Sequence, residues 1–296
     1  MKQVIKHILK LTPGLETYIK KYLIQRDFAV ERRLIKGDTF QPKSDKTSIL
    51  HFSLNKCATQ YVSDILAKVS RENKMKHLRF AEYAFVSDFP YLDQITEKQV
   101  ENYHNLFITK GCLYSVFGGM ILNVPHLNQF KTILMIRDPR DILVSYYFSA
   151  AYSHAIPHQF SNKRSDLIER RKFALNSSID EFVLEKAPDR EEVFRRYSSQ
   201  LLNKHDDVLV TKYEDMIGDF DGWLGQILNY TELDISSGLK TDIVNNHYRK
   251  SNRTEDKTKH HRKGEAGDYK LKLQESTIDK LNSIFSKTLK EFGYDS

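Results

Sequence analysis

The chain has 296 residues, 40% of them hydrophobic and 11% aromatic, so it is long enough for a substantial core and does not read as a disordered tail. Its 46 basic and 39 acidic residues leave a net charge of +7, which favours anionic ligands but falls short of the dense basic stripe of a dedicated nucleic-acid binder. Two cysteines, Cys57 and Cys112, are too few for a disulfide framework or a thiolate zinc site; with no apolar run of membrane-spanning length and no signal-peptide core, a reducing, cytoplasmic setting is expected.

Residues 1–35 read as a basic helical segment in which Ile5, Ile8, Leu9, Leu15, Ile19, Tyr22 and Leu23 make a rough apolar stripe, interrupted at Pro13-Gly14. Residues 1–46 are therefore expected to pack on the outside of a domain spanning 47–296. Peripheral membrane contact through this helix is the alternative. Residues 37–46 are polar and turn-rich, as a lead-in loop should be.

Thr47–Ser53 is the first convincing strand. It runs into Leu54-Asn55-Lys56-Cys57-Ala58-Thr59 and then a helix through Tyr61, Val62, Ile65, Leu66 and Val69. A strand, a short loop carrying Lys and Thr, and a helix start suit an anion, because the free amides of the first turn point at the ligand. The loop contains no glycine, so it is not a Walker A loop. Residues 71–104 mix charge and aromatics without a clean period and are expected to form helices or long loops over the active face. Asn105–Thr109 reads as a short buried strand, followed by a turn at Gly118-Gly119.

The organising stretch is Lys131–Ala151. Thr132–Ile136 is apolar and rich in β-branched residues, Arg137-Asp138 breaks the run, and Pro139 suits the first turn of a helix. Ile142, Leu143, Tyr146 and Tyr147 then recur at helical spacing. Arg137 thus stands at the carboxyl end of a strand, the edge where open α/β sheets bind ligands, and Ser145 lies two helical turns away. The pair can grip one phosphate; alternatively Arg137 pairs with Asp138 or Asp141.

Residues 153–172 read as a polar mobile loop, followed by helices over 179–186 and 190–203. Val208–Thr211 is a further strand, leading into Tyr213-Glu214-Asp215 and a helix through Ile217, Phe220, Trp223, Leu224 and Ile227. Residues 234–248 are expected to be helical, 251–270 charged and without period, and 274–292 an amphipathic helix. Strands alternating with helices predict a single-domain α/β fold with a mostly parallel central sheet.

Four segments together resemble the sulfotransferases that use 3′-phosphoadenosine-5′-phosphosulfate (PAPS). The family's PKSGTTW loop is matched by Asn55-Lys56-Cys57-Ala58-Thr59-Gln60-Tyr61. Its RxPxDxxVSYY signature appears as Arg137–Tyr147, KYED as Lys212–Asp215, and RKGxxGDWK as Arg262-Lys263-Gly264-Glu265-Ala266-Gly267-Asp268-Tyr269-Lys270. The resemblance covers roughly Thr47 to the end and implies a P-loop-like nucleotide-binding core.

By that resemblance Lys56 neutralises the leaving phosphate oxygen, and Thr59 with the loop amides of Cys57, Ala58 and Gln60 holds the 5′-phosphate. Arg137, Ser145, Arg262, Lys263 and Gly264 hold the 3′-phosphate. Tyr61 and Tyr213 contact the adenine, with a core role as the alternative for both. The loop departs from the family pattern, and Ala58 is strained if the glycine position needs φ > 0. The family's base in many members is a His after the strand equated with Asn105–Thr109, and none stands there. Carbohydrate-acting members use a Glu eight residues after the loop Lys; that position is Asp64, with His154, His104 and His126 as other candidates and a solvent-facing Asp64 as the alternative. The acceptor is a small-molecule, lipid or carbohydrate hydroxyl or amine; neither nucleic acid nor a metal is expected, and the oligomeric state is open. Competing readings are a P-loop kinase, a non-catalytic anion- or nucleic-acid-binding module, and a nucleotide-binding sulfotransferase without turnover.

Overall fold

Five short segments, Ile49–Ser53 (β1), Lys76–Leu78 (β2), Cys112–Phe117 (β3), Lys131–Ile136 (β4) and Val208–Lys212 (β5), pair in parallel in the order β2-β3-β1-β4-β5. The structure is a computed structural model that describes residues 13–153, 164–251 and 265–295. All five residues of β1 are buried, as befits a central strand covered on both faces. The chain leaves β1 for the β2-β3 side and later returns to the β4-β5 side. The carboxyl ends of β1 and its two neighbours therefore border the crevice where such sheets bind ligands.

The helix Thr59–Glu72 (α3) follows β1 and buries Val62, Ile65, Leu66 and Val69. Pro139–Phe148 (α6) follows β4, with Pro139 in its first turn and the Asp138 carboxylate capping the amide of Arg140 at 2.9 Å. Inside the sheet His51 Nδ1 lies 2.8 Å from Ser115 Oγ, which donates to Ser63 Oγ at 2.8 Å, stitching β1, β3 and α3 together. Burial, then the neighbouring His77, push His51 down to about 3, so the thread is uncharged.

The helices Pro13–Asp27 (α1) and Ala29–Ile35 (α2) precede the sheet. They are tied to it by Arg79, whose amide donates to Glu31 Oε1 at 2.9 Å and whose guanidinium donates to the Asp27 carbonyl at 2.9 Å. Asn105 Nδ2 likewise donates to the Leu34 carbonyl at 2.8 Å. Between β2 and β3 lie Phe80–Val86 (α4) and Glu97–Glu101 (α5), the latter with a Thr96–Gln99 capping box. Among the described residues no helix is long and apolar enough to cross a membrane.

Several expectations are corrected. Asn105–Thr109 is not a strand: His104–Leu106 is a 3₁₀ turn, and Leu106 and Phe107 are buried by packing. Tyr114 Oη closes that turn, donating to the Leu106 carbonyl at 2.7 Å and accepting from the Ile108 amide at 2.6 Å. The strand β3 beside β1 begins at Cys112, just after Gly111, whose φ of +72° and close packing against Pro42 and the Ser44 carbonyl leave no room for a Cβ. The loop expected over 153–172 is helical from Arg164, where Arg164–Asn176 (α7) begins; residues 154–163 lie outside the described residues. The two helices expected over 179–203 are one, Ile179–Tyr197 (α8), running through Pro188 into a π turn at Ser198–Leu202. Beyond β5 come Tyr213–Gly218 (α9), Phe220–Thr231 (α10), Ser237–Ser251 (α11), Tyr269–Lys272 (α12), Glu275–Ile284 (α13) and Ser286–Glu291 (α14).

Candidate active site

The loop between β1 and α3 is held open by two non-glycine residues with positive φ, Lys56 at 79° and Ala58 at 54°. Ala58 is the N-cap of α3 in the left-handed region and offers no side-chain cap, so the first amides of the helix keep their donors for another partner. Cys57 packs beneath with no exposed surface, and burial first of all pushes its thiol up, leaving it an apolar wedge. Thr59 Oγ1 lies 3.1 Å from Ser53 Oγ and donates to the Leu54 carbonyl at 3.2 Å, fixing the loop's base.

Arg137, at the end of β4, reaches across this loop. Its Nη1 donates to the Lys56 carbonyl at 3.2 Å, and its Nη2 donates to the Glu265 carbonyl at 2.8 Å and to Asp141 Oδ2 at 3.3 Å. The guanidinium also lies 4.2 Å from the Tyr213 ring centroid. Only 7% of the residue is exposed; burial opposes its charge, and Tyr213 and Asp141 outweigh burial. Of the two sequence readings of Arg137, the pairing with Asp141 is present, and the same guanidinium also reaches the loop carbonyl of Lys56. Asp141 in turn accepts the amides of Gly267 at 2.7 Å and Tyr269 at 3.0 Å, docking the C-terminal segment on α6. Beside it, Arg140 donates to Asp138 Oδ2 at 2.7 Å and to the Asp295 carbonyl at 2.6 Å, while Glu214 accepts the Asp138 amide at 3.0 Å.

Burial first, then the fields of Arg137 and Arg190, pull the Lys56 ammonium down to about 8. Arg190, on α8, is the functional candidate the sequence reading missed. Nothing in its helical context marks it, and only the packing of α8 brings it beside Cys57 and Tyr146. The Nε atoms of Arg137 and Arg190 are buried without a partner among the described residues. Three crowded cations, two with unused buried donors, form a site whose electrostatics and hydrogen bonds call for an anion bearing several charges.

The other expected residues are placed as follows. Ser145 is half-buried on α6, one turn beyond Asp141. Tyr213 is buried under Arg137. Tyr61 belongs to an aromatic group: its hydroxyl is 3.1 Å from His247 Nδ1, and His247 stacks on Phe220 at 3.9 Å. Gln60 and Asp64 are exposed and joined to each other at 3.2 Å, and the charge of Asp64 is felt at His77 and Glu82, toward β2 and α4. Arg262, Lys263, Gly264 and His154 lie outside the described residues. The end of the strand that does flank β1, Phe117-Gly118-Gly119, carries no histidine. Among the described residues no group of three or more His, Cys, Asp or Glu is set to hold a metal ion.

A family profile described as "Sulfotransferase domain" matches residues 46–293. Among solved structures, mouse sulfotransferase SULT7A1 complexed with PAP (3′-phosphoadenosine-5′-phosphate) is 18% identical with a TM-score of 0.50, covering 87% of this chain and 89% of its own. Retinol dehydratase in complex with androsterone and the inactive cofactor PAP is 15% identical with a TM-score of 0.48, covering 86% and 83%. A search of curated protein sequences gives no significant match.

Proposed function

The chain belongs to the sulfotransferase family, and from that premise we propose that it moves a sulfuryl group from PAPS to a hydroxyl or amine of a small-molecule, lipid or carbohydrate acceptor. The observation that carries the reading is the 2.8 Å bond from Arg137 to the Glu265 carbonyl, because it gathers the β1 loop, the end of β4 and the C-terminal segment at one point.

The residues present fit the nucleotide. Two guanidinium Nε atoms without a partner among the described residues and a desolvated ammonium match a ligand rich in phosphate and sulfate oxygens. Lys56, Thr59 and the amides of Cys57, Ala58 and Gln60 would hold the 5′ end; Arg137, Ser145, Arg262, Lys263 and Gly264 would hold the 3′-phosphate; Tyr61 and Tyr213 would face the base. When bound, PAPS supplies a sulfuryl group activated by its anhydride link to phosphate. Lys56, backed by Arg190, places positive charge where the leaving oxygen gains negative charge, so stabilisation grows toward the transition state. Arg137 contributes position more than charge, since Asp141 already pairs with it. Asp64 and His154 are the sequence's candidates for receiving the acceptor's proton.

Calorimetric titration of PAP, with adenosine diphosphate and an Arg137→Ala variant as controls, tests this reading. Tight PAP binding that needs Arg137 supports it. Equal affinity for adenosine diphosphate would sink it and bring a kinase-like protein forward.

A further inference from the structure

We propose that Asp93 is the group that removes the proton from the acceptor, an assignment that rests on the sulfotransferase reading. β1 separates two halves of the crevice. On its β4 side Arg137, α6 and Glu265 gather into the nucleotide half. In-line transfer needs the acceptor and the leaving oxygen on opposite sides of sulfur, so the acceptor's base belongs on the β3 side. There β3 ends at Phe117 and continues into Gly118-Gly119.

Asp93, in the 3₁₀ turn Leu92–Gln94, lies directly against this glycine pair. A Cβ on Gly119 would stand 2.9 Å from Asp93 Oδ2, and one on Gly118 would stand 3.7 Å from the same oxygen and 3.4 Å from Asn55 Oδ1. Bare backbone at Gly119 is what lets the carboxylate lie this close, and at Gly118 it shares ordinary contact distance with Asn55, the residue preceding Lys56. Backbone N–H groups of Gly119 and of Asp93 itself partly offset the effect of burial on the carboxyl. The titratable groups facing it are Tyr91 of the same loop and Tyr197 of α8, whose Oη is buried without a partner among the described residues. No ion pair to Asp93 is present among the described residues, so no cation lowers its basicity. Burial raises its carboxyl above the usual aspartate range, in keeping with a base.

Two other carboxylates near the site differ from Asp93. Asp141 spends its oxygens on Arg137, Gly267 and Tyr269. Asp64 is exposed and bonded to Gln60. Asp93 alone of the three is half-buried at the loop and without a cation. In the step assigned to it, the acceptor oxygen forms a bond to sulfur and passes its proton to the Asp93 carboxylate. The bond from sulfur to the 5′-phosphate oxygen breaks, and its electron pair stays on that oxygen beside Lys56.

The test uses the full chain with PAPS, Asp93→Asn, Asp64→Asn, and two probe acceptors: 1-hexanol, which must lose a proton, and 4-nitrophenol, which is ionised in mildly alkaline buffer and needs no base. The expected result is roughly a 100-fold or greater loss with 1-hexanol in Asp93→Asn, with 4-nitrophenol turnover and PAP binding unchanged. Equal losses on both probes, or the selective loss appearing in Asp64→Asn instead, would overturn the assignment. A second readout needs no acceptor. The ¹³C carboxyl resonance of Asp93, identified by its absence in Asp93→Asn, should titrate above the ordinary aspartate range and move higher when PAP places anionic charge nearby. PAP that binds without moving that titration counts against Asp93 alone, whereas failure of PAP to bind at all removes the sulfotransferase reading first.

Discussion

Asp141 accepts the amide of Gly267 at 2.7 Å across 126 positions of sequence, and the same carboxylate oxygen accepts Arg137 Nη2 at 3.3 Å. One fully buried carboxylate therefore positions both the guanidinium at the end of β4 and the segment that follows Arg262-Lys263-Gly264. Removing one partner of a buried, hydrogen-bonded ion pair leaves the other charge uncompensated. Asp141→Ala should lower unfolding free energy by about 3–5 kcal/mol in denaturant titrations. In the folded fraction it should also weaken PAP binding; PAP affinity equal to wild type would separate the segment from the site.

Ala58 sits at φ 54°, ψ 29°, a conformation that costs an L-residue about 1–2 kcal/mol relative to the right-handed region. Glycine removes that cost and gives back part of it through a more flexible unfolded chain. Ala58→Gly should raise the thermal midpoint by about 1–4 °C in calorimetric scans. A fall would mean that the Ala58 methyl contributes more by packing than its conformation costs.

Lys56 titrates at about 8, below its ordinary 10.5. Above pH 8 it is mostly neutral in the free protein, and a bound polyanion draws its proton back. PAP affinity should therefore fall as pH rises through 8, and binding near pH 8.5 should take up protons, read from titrations in buffers of different ionisation enthalpy. The uptake should vanish in Lys56→Ala. For stability the sign is opposite: the unfolded chain binds the extra proton, so the penalty that burying this ammonium places on folding fades as pH climbs from about 8 to 10.5.

Arg190 should separate stability from function. Its guanidinium carries a buried Nε without a partner among the described residues, and Met has similar length and no charge to desolvate. Arg190→Met should leave the thermal midpoint unchanged or higher, yet weaken PAP binding by roughly 10- to 100-fold, the value of one or two charged hydrogen bonds. A destabilised variant with normal PAP affinity would make Arg190 a structural residue.

The sequence is most transparent where local chemistry and tertiary role coincide. At Thr132–Pro139 an apolar run, a charge break and a proline dictate strand, turn and helix, and the same logic finds the strand, loop and helix start around Lys56 and Thr59. Asn105–Thr109 misleads because burial without ladder pairing leaves the same apolar signature as a strand. Lys76–Leu78 is hidden by its brevity, three residues on the edge of the sheet. Pro188 reads as a boundary, yet α8 continues through it on tertiary contacts made by Phe182, Val183, Ala187 and Phe194. Asp93 and Arg190 are invisible for a different reason. Each is an ordinary charged residue in a charged neighbourhood, and only the placement of a turn and a helix across the crevice gives either one a role.

The tie between Asp141 and residues 267–269 also bears on the order in which the protein matures during synthesis. A growing chain that has reached α11 already contains all five strands of the described sheet, Lys56, Arg137 and both glycines of the β3 turn. It lacks the Glu265 carbonyl that Arg137 grips and the amides that occupy Asp141. Until those residues emerge, Asp141 has Arg137 as its main partner and the nucleotide half stays unfinished. The donor's full set of contacts is therefore completed only after the sheet is assembled, when residues 265–269 dock on α6.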